Sequence, residues 1–105
     1  FYVGDPDHPD YALSKRQTTG FGAMISFKTD THQRALDTLE RTRLILFAES
    51  LGGTESLVTY PLVQTHGAIP APMLDKLGID DRLLRLSVGI EDAEDLLADL
   101  DQALA

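Results

Sequence analysis

An arginine lies inside an apolar segment near the end of the chain, in the sequence LLRLSV at residues 83–88. If this segment is a β-strand, Arg85 shares a face with Leu83 and Ser87, because alternate residues of a strand point to the same side. A guanidinium in such a strand needs an anionic partner, since burial of an unpaired charge is very costly. The partner is either one of the chain's own carboxylates or the carboxylate of a ligand, which arginine binds through two parallel hydrogen bonds. The residues alone favour the internal salt bridge and leave the ligand as the alternative.

A second candidate is the sequence AESLGGTESL at residues 48–57, between two predicted strands. It is longer than the two-residue loop that commonly joins neighbouring strands. The Gly52-Gly53 pair allows unusual backbone conformations and close approach of another group, and a backbone N–H in such a loop can bind an anion. Glu49 ends an apolar run, so its carboxylate is either exposed at the tip or directed into a site. Composition alone favours an ordinary turn, with an anion-binding loop as the alternative.

No group of residues completes an active site by itself. The chain has no cysteine, which excludes disulfides and thiolate zinc sites and favours a reducing compartment, so we expect a cytoplasmic protein. His8, His32 and His66 lack the spacing of metal ligands, and we expect no metal site. The phosphate-binding GxxxxGK[ST] motif and the GxSxG motif are absent. The chain therefore either binds a ligand or supplies part of a site that is completed elsewhere.

The charge of the chain limits its partners. A net charge of −8 argues against nucleic acid and anionic membranes. No apolar run approaches the roughly 20 residues that span a bilayer. The start at Phe1 has no signal-peptide pattern and suggests a piece of a longer protein. Residues 91–105 contain acids and no base, and we interpret them as the solvated face of a helix, with an acidic docking surface as the alternative.

Apolar periodicity predicts alternating strands and helices. The predicted strands are FGAMISFKT (21–29), RLILFA (43–48), SLVTY (56–60) and RLLRLSV (82–88). The predicted helices cover residues 9–17, 32–42 after a cap at Asp30 or Thr31, 71–78 with Gly78 as C-cap, and 93–104. The RLILFA run is continuous, which predicts a strand buried on both sides or nearly so, and residues 61–72 are predicted to be irregular because they contain three prolines.

This order predicts an α+β fold of one domain, with about four strands in a mainly antiparallel sheet and helices that cover mostly one face. The sequence strand–helix–strand–strand–helix–strand is that of a split βαβ unit. Folds of this kind have many functions, so the fold alone does not identify one.

Three segments, AESLGGTESL, QTHGAIP and LLRLSVGIEDAEDLLADLDQAL, closely resemble the C-terminal domain of the cystathionine γ-synthase, γ-lyase and β-lyase family. The opening GDPDHPDYALSKRQTTGFGAMISF resembles the family segment that leads from the large domain into the small one. The resemblance implies the small domain of a longer fold-type I enzyme that uses pyridoxal 5′-phosphate (PLP). Residues 1–20 would be the linking segment and helix, and residues 21–105 the C-terminal small domain.

The resemblance also implies which functions belong to the large domain and which to this chain. The large domain, absent here, would bind most of the cofactor and supply its Schiff-base lysine, so Lys15 is not that lysine and no residue of this chain is catalytic. The 105 residues alone are expected to be inactive. The longer protein would form a homotetramer and act on a small sulfur amino acid.

Three residues receive substrate-binding roles from the resemblance. Arg85 matches the arginine that holds the substrate α-carboxylate, and Ser50, largely through its backbone, matches a second contact to that carboxylate. Glu49 matches an acidic position that helps to select the substrate. His66 matches a family histidine to which we assign no role.

The reaction itself stays open at this point. The sequence TYPLVQTHG at residues 59–67 departs from the commonest family pattern and is compatible with both γ-synthases and β-lyases. The family implies β or γ elimination or replacement on cystathionine or an activated homoserine. The alternative from another class is a free-standing ferredoxin-like regulatory module that binds an amino acid and dimerises.

Overall fold

The structure is a computed structural model that describes residues 1–64 and 69–105, without the side chain of Gln64. The described residues form the following elements in chain order: α1 (Tyr11–Gln17), β1 (Met24–Lys28), α2 (His32–Arg41), β2 (Leu46–Phe47), β3 (Leu57–Thr59), α3 (Pro61–Gln64), α4 (Ala71–Leu77), β4 (Leu83–Ser87) and α5 (Ala93–Leu104). No helix among them is long and apolar enough to cross a bilayer.

The four strands form one sheet in the order β1-β4-β3-β2. The β1–β4 and β3–β4 pairs are antiparallel, whereas β2 and β3 run parallel. The predicted α+β class with a four-stranded, mainly antiparallel sheet is confirmed. The split βαβ arrangement is wrong, because β4 lies between β1 and β3 and the consecutive strands β2 and β3 are parallel neighbours.

The core lies between one face of the sheet and the helices α2 and α5. Helix α2 begins where predicted, since the Thr31 hydroxyl accepts a hydrogen bond from the backbone N–H of Arg34 at 3.1 Å. Leu100 of α5 is partly buried and packs against the hydrophobic core cluster, while Leu97, three residues earlier, is exposed. The buried residues of the cluster are Ala35, Ile45, Val58, Tyr60, Leu84, Leu86 and Leu96.

The prediction of a long, doubly buried strand at RLILFA is wrong. Strand β2 contains only Leu46 and Phe47, and both side chains are about half exposed. These side chains are exposed because β2 is at the edge of the sheet and, among the strands of the described residues, pairs with β3 alone. An apolar run identifies neither an edge nor a centre strand.

The Pro-rich segment that follows β3 is partly helical, not irregular as predicted. Pro61 begins α3, a single turn, which proline allows because its missing N–H would be unpaired in the first turn anyway. Helix α4 ends at Gly78 as predicted, in the left-handed conformation. The remainder of QTHGAIP that includes His66 lies outside the described residues.

Asp99 fixes the chain between α2 and β2 to helix α5. Its carboxylate accepts hydrogen bonds from the backbone N–H groups of Arg43, Leu44 and Ile45 at 2.9–3.1 Å, and from Gln102 Nε2 at 2.9 Å. Burial of Asp99 opposes ionisation, but these hydrogen bonds outweigh it and hold the pKa of the carboxyl below its ordinary value. The predicted solvated acidic face is therefore wrong at this position, where the side chain is only 7% exposed.

Candidate functional site

Residues 48–56, which we call the crossover loop, connect the parallel strands β2 and β3. A parallel pair requires the chain to return along the sheet, so a two-residue hairpin cannot join these strands. At the start of the loop, the Ala48 N–H donates to the Val58 carbonyl at 3.1 Å. Near its end, the Ile90 N–H donates to the Thr54 carbonyl at 2.9 Å. The loop is thus held at both ends by backbone contacts with the sheet and with the segment after β4.

Two glycines make this path possible, one in the loop and one facing it. Gly52 has φ of +75°, which L side chains rarely adopt, and its N–H donates to Ser87 Oγ at 2.9 Å. Gly89 lies so close to the loop that an added Cβ would be 2.2 Å from the Thr54 carbonyl oxygen. The close approach expected at Gly52-Gly53 is not observed within the described chain, since an added Cβ would meet no described atom within 4 Å at Gly52 and only the Glu55 backbone N, at 4.0 Å, at Gly53. The close approach to this loop is at Gly89 instead, and the approaching group is the chain's own backbone.

Glu91 holds the second half of the crossover loop. One of its carboxylate oxygens accepts from the backbone N–H of Ser56 and the other from the Ser56 hydroxyl, each at 2.8 Å. The Ser56 hydroxyl oxygen accepts in turn from the Gly89 N–H at 2.8 Å. The hydrogen bond from the Ser56 N–H is the main reason why the pKa of Glu91 is below its ordinary value. Glu91, like Asp99, departs from the predicted solvated acidic face.

Arg85 lies half-buried on β4 and reaches the crossover loop. Its Nη2 donates to the backbone carbonyl of Glu49 at 3.1 Å. Within residues 1–64 and 69–105, no carboxylate lies within 4.0 Å of the guanidinium, so the described residues do not form the internal salt bridge that composition favoured. An arginine has five N–H donors, and the Glu49 carbonyl needs only one of them.

A cavity of about 350 Å³ opens beside Arg85, on the sheet face opposite α2 and α5. This volume is at the lower end of the range for small-molecule sites, roughly 300–1,000 Å³. Its walls include the apolar residues Ile79 and Leu83 and a second cation, Lys28. The Lys28 ammonium is paired with Asp80 Oδ2 at 2.9 Å. The described chain therefore supplies a carboxylate for Lys28 but none for Arg85.

The structure brings two of the three predicted substrate-binding residues into one place. The Glu49 carbonyl contacts Arg85, and Ser50 follows directly in the exposed start of the crossover loop. The Glu49 side chain is exposed, and its carboxylate forms no ion pair within the described chain. The sequence did not single out Ser87 as a contact of the loop, although its position two residues after Arg85 places it on the same face.

The comparisons with known proteins agree on one family. Over residues 1–105 the chain matches the family model described as Cys/Met metabolism PLP-dependent enzyme. It is 53% identical over 104 residues to the cystathionine gamma-lyase of Macaca fascicularis. The aligned region covers 98% of this chain and 26% of that protein. It is 44% identical over 104 residues to the cystathionine beta-lyase of Lactococcus lactis subsp. cremoris (strain MG1363), with 99% of this chain and 27% of that protein covered.

A solved structure gives the same result. The crystal structure of cystathionine gamma synthase from Xanthomonas oryzae pv. oryzae in complex with aminoacrylate and cysteine superimposes with a TM-score of 0.95 at 46% identity. The match covers 99% of this chain and 27% of that one. The chain therefore belongs to the Cys/Met metabolism PLP-dependent enzyme family, as its motifs suggested, and the cofactor of this family is PLP. It spans about a quarter of the length of the relatives that it matches.

The lysines of this chain do not fit the covalent site of PLP. A lysine that forms an imine must be neutral, which requires a shielded, unpaired amine. Lys28 is paired with Asp80, Lys15 lies 6.0 Å from the centroid of the Tyr11 ring on the surface helix α1, and Lys76 is exposed in the last turn of α4. The lysines present therefore do not fit covalent attachment of the cofactor.

Proposed function

We propose that this chain is the C-terminal small domain of a longer PLP-dependent enzyme of trans-sulfuration. Three observations support this proposal: the family match over residues 1–105, the coverage of about a quarter of each relative, and the lack of a fitting lysine. Residues 1–20 would link this domain to the large one, and residues 21–105 would form the small domain. The longer enzyme would act on cystathionine or an activated homoserine and assemble as a homotetramer in the cytoplasm.

Within that enzyme, Arg85 would bind the substrate α-carboxylate. The observation that carries this role is a half-buried guanidinium beside a cavity, with a backbone carbonyl and no described carboxylate as its neighbour. Ser50 would add a backbone N–H to the same carboxylate, and the exposed Glu49 carboxylate would face the distal part of the substrate and help to select it. Together they would form one wall of the amino-acid site.

The contribution of this wall to the reaction is orientation. A carboxylate held by two parallel hydrogen bonds from a planar guanidinium has a fixed direction, whereas an ammonium would leave it free to rotate. Holding the substrate in one orientation contributes to the rate because the reactive geometry is already organised. PLP, held by the large domain, would supply the electron sink for the chemistry.

Identification of the keto acid product tests the reaction. The full-length protein is incubated with PLP and cystathionine, and we expect release of a keto acid. Pyruvate would identify a β-lyase and 2-oxobutyrate a γ-lyase. If neither forms, an activated homoserine and cysteine are supplied, and formation of cystathionine would identify a γ-synthase. A PLP-loaded protein inactive in both assays would contradict the proposed function.

The isolated chain provides a second test, which separates the enzyme from the regulatory module. Residues 1–105 are expected to bind no amino acid at millimolar concentration, because the proposed wall forms only part of the site. Equilibrium dialysis against a labelled sulfur amino acid measures this directly. Saturable binding by the isolated chain would instead support the ferredoxin-like regulatory module.

A further inference from the structure

Three polar side chains on one face of the sheet reach the backbone of the crossover loop. Thr59 of β3 and Arg85 of β4 are cross-strand partners, and Ser87 follows two residues later on the same face of β4. Thr59 Oγ1 donates to the Ala48 carbonyl at 2.6 Å, Arg85 Nη2 donates to the Glu49 carbonyl at 3.1 Å, and Ser87 Oγ accepts from the Gly52 N–H at 2.9 Å. One face of the sheet thus contacts the loop at three points.

The two hydroxyl groups that make these contacts belong to buried residues. Thr59 is 1% exposed and Ser87 is 2% exposed, although both are polar. A buried hydroxyl without a partner is costly, and the partners found here are main-chain groups of the loop. Each hydroxyl therefore stabilises the loop in the position where its main-chain partner lies within hydrogen-bond distance.

The spacing of these contacts encloses the proposed carboxylate contact. Ala48 precedes Glu49 and Ser50, and Gly52 follows them, so the two hydroxyls bracket the stretch that would meet the substrate. The second half of the loop is fixed separately, by Glu91 through Ser56. The position of the Ser50 N–H relative to the Arg85 guanidinium is thus held by the contact between Arg85 and the Glu49 carbonyl and by the two hydroxyls on either side of it.

We propose that Thr59 and Ser87 are positioning residues, which hold the backbone at Glu49 and Ser50 in register with Arg85 so that both can bind one carboxylate. This inference rests on the proposed function of Arg85. The residues would not touch the substrate. Their effect would be on how well the enzyme distinguishes a carboxylate from a neutral group of similar shape.

Binding of an amino acid and its amide tests the proposal in the full-length, PLP-loaded enzyme. L-norleucine has no leaving group, so its binding reaches equilibrium and is followed by the absorbance of the cofactor, and L-norleucinamide lacks only the carboxylate charge. We expect Thr59→Val and Ser87→Ala each to weaken norleucine binding by about 5–10-fold, the equivalent of one hydrogen bond. The affinity for norleucinamide should change less than 2-fold, taken here as roughly the error of such a comparison.

Two further variants separate positioning from general loss of stability. Thr59→Ser retains the hydroxyl and should keep the ratio of the two affinities within about 2-fold of the parent enzyme. Thr38→Val removes another fully buried threonine hydroxyl, whose bond to the Arg34 carbonyl lies within α2, and should leave the ratio unchanged. Equal loss of amino acid and amide binding in Thr59→Val and Ser87→Ala would contradict the proposal.

Arg85→Ala, which leaves no charge at this position, distinguishes failure of this inference from failure of the proposed function. If Arg85→Ala removes the preference for the carboxylate while Thr59→Val and Ser87→Ala retain it, the positioning role is wrong and the role of Arg85 stands. If Arg85→Ala also retains the preference, the proposed carboxylate site is wrong, and the positioning role with it.

Discussion

Replacement of Arg85 by alanine in the full-length enzyme is expected to lower kcat/KM for its amino-acid substrate by about 10³-fold, the equivalent of two lost charge-assisted hydrogen bonds. KM should rise because the carboxylate is bound in both the ground state and the transition state, and kcat should fall because the substrate loses its fixed orientation. Arg85→Lys should lose less, about 10–100-fold, because the charge remains while the two-pronged geometry is lost. Steady-state kinetics over a range of substrate concentrations measures both parameters.

The cofactor provides an internal control for this prediction. PLP would be attached outside this chain, so its affinity should be nearly unchanged in both Arg85 variants. Arg82, which directly precedes β4, is a matched control arginine. It pairs with Asp80 at 3.6 Å, whereas Arg85 has no carboxylate partner among the described residues. Arg82→Ala should change kcat/KM by less than about 3-fold. An unchanged kcat/KM in Arg85→Ala, or a parallel loss of PLP, would contradict the assignment.

The elements that the sequence predicts correctly are those with a strong local signal. Helix α5 has apolar residues at helical spacing and an Asp92 cap, whose carboxylate accepts from the Glu94 N–H at 2.9 Å. Strand β4 was predicted from an apolar segment that ends at a glycine, and Thr31 begins α2 as a side-chain cap. In each case the residues that decide the structure are adjacent in the chain.

The sheet order could not be predicted in this way, because it depends on which strands meet in space. The parallel pairing of β2 with β3 is a tertiary property. A short apolar run is compatible with both a central and an edge strand, and only the neighbours of Leu46 and Phe47 reveal that they are half exposed. The crossover loop was recognised as unusual from its length and its glycines, but not as a parallel connection.

The same distinction applies to the candidate site. Arg85 was identified because a charge in an apolar strand is unusual in itself. Ser87 and Thr59 were not, because hydroxyl residues are common in strands and their partners lie 35 and 11 residues away. Asp99 was misread for the same reason, since its partners at residues 43–45 precede it by more than 50 positions.

Asp99→Ala is expected to lower the free energy of unfolding of this chain by about 2–4 kcal/mol. The substitution would remove the acceptor of three backbone N–H groups, at Arg43, Leu44 and Ile45, and leave that of the buried Ile45 unpaired, while water can reach those of the exposed Arg43 and Leu44. Urea denaturation followed by circular dichroism measures the change. Asp101→Ala is the matched control, an exposed carboxylate on the same helix, and should change the free energy by less than about 0.5 kcal/mol.

The pH dependence of the loss of stability on replacing Asp99 distinguishes the contribution of its charge from that of its shape. The hydrogen bonds hold its pKa below the value of about 3.9 of an unfolded aspartate. The contribution of Asp99 to stability is therefore fully present above about pH 4 and is lost as the pH falls through the folded-state pKa. Asp99→Asn keeps one acceptor oxygen without the charge, so its destabilisation should be largest near neutral pH and shrink in acid. A difference between Asp99→Asn and the parent chain that stays constant from neutral pH into the acid range would show that the lost shape, and not the lost charge, accounts for the effect.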